Sequence, residues 1–175
     1  VIERTLVFER DGRRTRARAV TAGRTGADGR PTGASTALAL VDRPRATLVG
    51  GLGLGYTTTA VLADPRVRVE INDGRNFLLA TSEVFDAVLS DSIHPRYAGN
   101  GSLYSEEYFR LVAERLTPGG VVSMWLPMYT LTPANFAMIV RAFKNVFPET
   151  VIWYEPSALN SFTVVTGRKR GGPWD

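Results

Sequence analysis

An α/β fold is predicted, with a mostly parallel sheet covered by helices on both faces and a small N-terminal β hairpin. Three observations predict it. The runs "ATLVG", "FDAVLS" and "GVVSMWLP" have the length and apolar content of buried strands. Between and after them lie segments with helical spacing, above all "SEEYFRLVAERL" and "TPANFAMIVRAFKNVF". This alternation starts only at Ala46, whereas the residues before it read as strand, turn and strand.

Taken in order, "TLVFE" and "RTRARAV" flank Asp11-Gly12, and Asp-Gly between β-rich runs signals a hairpin. The stretch "TAGRTGADGRPTGAST" is rich in Gly, Thr and Pro and reads as loop. Residues 1–36 therefore form a small N-terminal β domain, residues 37–167 the larger α/β domain, and 168–175 a frayed tail. Within the larger part "ATLVG" is a strand and "GLGLG" a glycine turn. "YTTTAVLA" begins a helix that Asp64-Pro65 stops, "VRVEIN" is a strand, and Asp73-Gly74 opens the short helix "RNFLLAT". "FDAVLSD" is the next strand. Ser105 is placed to cap the helix after it, which Pro118-Gly119-Gly120 closes. After the strand "GVVSMWLP", Thr132 and Pro133 stand at the cap and first position of another helix. "TVIWYE" and "SFTVVTG" are closing strands.

Composition narrows the function. With 175 residues, 44% of them hydrophobic and 22% charged, the chain has material for one soluble domain and a real core. No apolar run reaches the roughly 18 residues of a membrane span, and the N-terminus lacks a signal-peptide centre. Without cysteine and with one histidine, disulfide frameworks and thiolate or His-rich zinc sites are excluded, and a cytoplasmic protein is expected. Residues 1–45 hold ten arginines against five acids. They alternate with small and apolar residues in "RRTRARAV", as on a solvated strand face, and no aromatic–basic interleaving suggests a nucleic-acid partner.

Ligands of parallel α/β sheets bind beyond the carboxyl ends of the strands. Gly51, Gly53 and Gly55 lie there in "GGLGLG", where glycines allow a sharp turn and close approach to a nucleotide or nucleoside. A purely structural turn is the other reading. Asp73 ends a strand and can accept from an exocyclic amine or a ribose hydroxyl, or cap the helix behind it. Asp91 ends "FDAVLSD" and reads as a pocket carboxylate, a hydrogen-bond acceptor or general base, or as a turn carboxylate. His94 is a second titrating group there or a structural residue. Trp125, Met128 and Tyr129 end the next strand and either wall an apolar pocket or pack in the core.

In this order the pieces resemble the polyamine aminopropyltransferases, the spermidine and spermine synthase family, and "DGRNFLLAT" and "WLPMY" look especially like its bacterial spermidine-synthase-like branch. The resemblance runs from about Ala46 to Gly167. It implies a Rossmann-like, methyltransferase-type fold and transfer of an aminopropyl group from decarboxylated S-adenosylmethionine to an amine such as putrescine, without a metal. Gly51, Gly53, Gly55, Asp73, Gly74 and Ser92 would hold the cofactor, with Asp73 on the adenine amine. Asp91 would be the catalytic base. His94, Trp125, Tyr129, Tyr154 and Glu155 would line the acceptor site, in a homodimer.

Three features depart from the family pattern. His94 stands where a second aspartate of the D-x-x-D-P turn holds the diamine. Glu155 aligns with an amine-contacting tyrosine, and Tyr154 is beside it. Only eleven residues separate Gly55 from Val67, so the strand ending in a ribose-binding acid is missing, which would leave a gap in the sheet. Two rival readings share the fold: an S-adenosylmethionine-dependent methyltransferase, and a homologue that binds a nucleoside without turnover.

Overall fold

Strand β5 (Phe85–Ser90) explains the plan of the molecule, because it is buried on both faces and parallel to a neighbour on each side. The structure is a computed structural model, and it describes residues 4–7, 16–18, 46–50, 68–71, 73–90, 94–154 and 162–170. The other strands are β1 (Arg4–Val7), β2 (Arg16–Arg18), β3 (Ala46–Gly50), β4 (Arg68–Ile71), β6 (Leu116–Pro127), β7 (Thr150–Tyr154) and β8 (Phe162–Arg168). The described helices are α1 (Gly74–Ala80), α2 (Glu106–Arg115) and α3 (Pro133–Val146), with a 3-10 turn over Asn100–Tyr104.

Six strands form one sheet in the order β2-β3-β5-β6-β8-β7. Strands β2, β3, β5 and β6 are parallel, and β8 alone is reversed, antiparallel to both β6 and β7. This is the mixed α/β, mostly parallel sheet that the alternation of elements predicts. The apolar run of β5 follows from its place: Phe85, Ala87, Val88 and Leu89 are all buried.

The turn of the expected N-terminal hairpin, at Asp11-Gly12, lies outside the described residues, and among these no pairing joins β1 to β2. Strand β1 instead pairs antiparallel with β4 in a separate two-stranded sheet, and β2 joins the main sheet parallel to β3. Strand β4, within the expected strand "VRVEIN", thus lies outside the parallel sheet. The pairing of β2 with β3 also answers the expected gap, since β2 covers the edge of β3 away from β5. The boundary near Thr36 and the helix "YTTTAVLA" lie outside the described residues.

Helix α2 lies between α1 and α3 and touches both. The core fills the space between them and the sheet, with Phe77, Phe85, Phe109, Phe143 and Phe147 as its large members. Phe109 and Phe143 meet edge-on at 5.1 Å, and Phe143 packs on Phe147 at 5.0 Å. Both predicted caps are made. Ser105 Oγ accepts the Tyr108 N–H at 3.3 Å, and Thr132 Oγ1 accepts the Asn135 N–H at 3.2 Å.

Pro118-Gly119-Gly120 does not end α2, which stops at Arg115. These residues form a bulge in β6, between the pairs Phe85–Leu116 and Ala87–Val121. Gly119 has φ 77°, a conformation that side chains rarely adopt. Asp86 holds the bulge in place. Its Oδ1 accepts the Thr117 hydroxyl at 2.9 Å and its Oδ2 accepts the Ala46 N–H at 3.0 Å. The segment expected as a frayed tail begins inside this framework, because the Lys169 N–H donates to the Gly120 carbonyl at 2.9 Å. Among the described residues no helix is long and apolar enough to cross a membrane.

Candidate active site

Parallel strands bring their carboxyl ends to one edge, and the register here fixes which residues share it. Gly50 pairs with Ser90, and Ser90 pairs with Met124. Gly51, Asp91 and Trp125 are the next residues along the three strands. On the far side Leu126 pairs with Thr163, and Thr163 with Tyr154. Tyr154 therefore stands level with Leu126, two strands or about 10 Å away. It is 55% exposed, at the same edge as Trp125 and Tyr129. Gly51, Gly53, Gly55, Asp91, Ser92 and Glu155 lie outside the described residues.

Beyond this edge the turns after β5 and β6 meet. Tyr97, His94, Tyr129 and Trp125 form a chain of rings with successive centroid distances of 6.3, 5.3 and 6.2 Å. Met128 and Tyr129 are exposed, Trp125 is half-buried, and the Arg96 guanidinium lies 5.4 Å from the Tyr97 centroid. The Tyr104 hydroxyl reaches the Trp125 carbonyl at 3.4 Å, tying the 3-10 turn to this wall. The structure thus brings His94, Trp125 and Tyr129 together.

His94 is 4% exposed. Its Nδ1 accepts the Arg96 N–H at 3.1 Å, while Nε2 lies 2.9 Å from the Tyr129 carbonyl and 2.8 Å from Thr130 Oγ1. Sequence reasoning has no access to Thr130, which has φ 60° and is the one described non-glycine residue with positive φ. A β-branched residue in that region costs about 1–2 kcal/mol. Propensity argues against it, so no sequence signal could have found it.

Asp73 caps α1, its Oδ1 accepting the Asn76 N–H at 2.8 Å, and its Oδ2 is not used by that bond. Arg115 Nε donates to the Leu78 carbonyl at 3.0 Å and anchors the last turn of α1 beside the amino end of β6. Asp73 and Gly74 stand at the other end of that helix, about 10 Å along its axis. The shifted carboxyls lie in the first turn of α2. Glu106 is held below the usual glutamate range by the Asn145 amide, then by the Arg110 guanidinium. Glu107 is lowered by its own backbone N–H and then by Ser105. A separate groove of about 510 Å³, lined by residues including Ala113, Asn145, Phe147 and Lys169, contains none of the predicted site residues.

Comparison with known proteins adds a family to this geometry. The family described as "Spermine/spermidine synthase domain" matches residues 54–168. The chain is 38% identical over 100 residues to a polyamine aminopropyltransferase of Aeropyrum pernix, covering 54% of this chain and 31% of that protein. It is 37% identical over 108 residues to spermidine synthase 1 of Pisum sativum, covering 57% and 32%. The chain spans about a third of the length of the curated relatives it matches. A solved spermidine synthase, in complex with the transition state analogue AdoDATO, is similar in fold with TM-score 0.57 and 23% identity. That likeness covers 68% of this chain and 41% of the other. A spermidine synthase from Thermotoga maritima is similar with TM-score 0.53 and 20% identity, covering 70% and 41%.

Proposed function

The chain belongs to the spermine/spermidine synthase domain family, and from that premise we propose that it carries the catalytic part of an aminopropyltransferase. Its substrates are decarboxylated S-adenosylmethionine and an amine, putrescine or a related polyamine. The observation that carries the reading is the family match over residues 54–168, which includes Asp91 and the edge from Ser90 to Tyr154. Supporting it, Asp73 Oδ1 serves the helix cap, so a second oxygen of the same carboxylate is available for an adenine amine.

In this reading Gly51, Gly53 and Gly55 let the backbone pass beside the nucleoside, and Gly74 and Ser92 complete its site. The sulfonium supplies an electrophilic carbon and a good leaving group. An alkyl amine with a pKa near 10.4 is neutral in only about one molecule in 2,500 at pH 7. Asp91 orients the ammonium and takes its proton. The amine nitrogen then bonds to the propyl carbon, the carbon–sulfur bond breaks, and methylthioadenosine leaves. Trp125, Tyr129, Tyr154 and Glu155 line the acceptor side.

The test is a product assay with decarboxylated and ordinary S-adenosylmethionine against a panel of amines. Methylthioadenosine is expected only with the decarboxylated donor and an amine, and Asp91→Asn is expected to abolish it while nucleoside binding persists. S-adenosylhomocysteine from the ordinary donor would replace this reading with methyl transfer. Binding without any product would reduce it to a nucleoside-binding domain.

A further inference from the structure

The ring of His94 makes demands on two turns at once, and those demands fix its chemical form. Nδ1 faces the Arg96 N–H, which can only donate, so Nδ1 carries no proton. Nε2 faces the Tyr129 carbonyl, which can only accept, so Nε2 carries one. Thr130 Oγ1 sits beside the same N–H. Neutral imidazole with the proton on Nε2 satisfies all of these contacts. A second proton would set an Nδ1–H against the Arg96 N–H.

A different observation points the same way. Thr130 keeps its left-handed backbone where its hydroxyl meets the imidazole, and Tyr129 packs on the ring at 5.3 Å. Buried and fully used, the imidazole has no nitrogen left for an amine.

We infer that His94 is a positioning residue: a neutral Nε2–H latch that ties the turn after β5 to the turn after β6 and holds Tyr129 and Trp125 in place. It touches no substrate itself, which replaces the substrate-binding role expected from the sequence. The latch is independent of the activity. Only its effect on acceptor binding rests on the function proposed above.

The experiment has two arms. His94 is the only histidine in the chain, so ¹⁵N-histidine labelling of the untagged protein gives a single ring. At about pH 8, above the ordinary histidine range, long-range ¹H–¹⁵N spectra are expected to show a protonated Nε2, a bare Nδ1 and a slowly exchanging ring proton. Averaged tautomers, or a proton on Nδ1, would overturn the latch whatever the activity proves to be. The second arm compares His94→Gln, whose amide can donate towards Tyr129, with His94→Asn, whose oxygen can accept only the Arg96 N–H. With the amine as varied substrate, Gln should keep KM within about threefold, and Asn should raise it about tenfold, the effect of one hydrogen bond. In both variants kcat should change less than KM. Equal KM values for the two variants would also overturn the proposal. Absence of aminopropyl transfer in the unaltered protein would refute the proposed function and leave the spectra to decide the latch.

Discussion

Replacing Gly167 with alanine should destabilise the fold sharply while leaving the site alone. A Cβ built there would lie 2.6 Å from Phe147 Cβ, 2.7 Å from Phe143 Cε1 and 2.9 Å from Phe147 Cγ. Carbon atoms prefer about 3.5–4.0 Å, so the nearest contact is about 1 Å too short. Phe147 cannot yield by turning its ring, because the clash includes its Cβ, which moves only with the backbone that caps α3. Phe143 and Phe147 are both fully buried, so neither has open space to enter. Overpacking of this kind costs about 1–3 kcal/mol, and rigid neighbours put Gly167 near the top of that range. For a chain of this size 1 kcal/mol shifts Tm by about 2–4 °C, so a fall of about 6–12 °C is expected by calorimetry. The same Cβ at Gly101 meets only the Pro95 carbonyl at 3.7 Å, and Gly101→Ala should change Tm little. A fall below about 2 °C for Gly167→Ala would refute the reasoning. Gly167 lies four residues, about 13 Å, from Thr163 at the ligand edge, so substrate KM values should not move.

Further outcomes are expected elsewhere. Thr132→Ala and Ser105→Ala should each cost about 1 kcal/mol of stability in urea titrations, because each removes a helix cap. Asp86→Ala should cost about 2–3 kcal/mol, since it leaves both the Ala46 N–H and the Thr117 hydroxyl without their charged acceptor, and Asp86→Asn should cost less. Glu106 has a folded pKa below its ordinary 4.5, so its contribution is present above that value and disappears as pH falls through the lowered folded one. Stability against acid should therefore decline less steeply in Asn145→Ala, which removes the largest cause of the shift, and denaturation curves from pH 6 down to about pH 3 would show it.

Elements whose signals are local were legible in the sequence. Ser105, Thr132 and Pro133 set helix starts by chemistry within one turn, and β5, β7 and β8 follow from short β-rich runs. Pairing partners were not legible, because nothing near Arg4 or Arg16 encodes which distant strand lies beside it. Pro118-Gly119-Gly120 reads as a helix stop in the sequence because the same residues serve a bulge equally well. At the site, strand direction alone places Trp125, Tyr129 and Tyr154 at one edge. The latch of His94 needs a carbonyl 35 residues away, and no spacing rule reaches it. The run "FDAVLSD" reads simply as a strand, and the bracing of two neighbours by Asp86 appears only in three dimensions.

That bracing bears on the opposite end of the sheet. Parallel strands can slide past one another by two residues and keep every side chain on its proper face, so burial alone does not set their heights. Asp86 grips the first N–H of β3 and the bulge of β6 with its two oxygens, and so removes the freedom to slide at the base. From Ala46 to Gly50 is about 13 Å. One carboxylate thus levels Gly50, Ser90 and Met124 from below, and any tilt it permitted would be carried undiminished to the residues that end these strands.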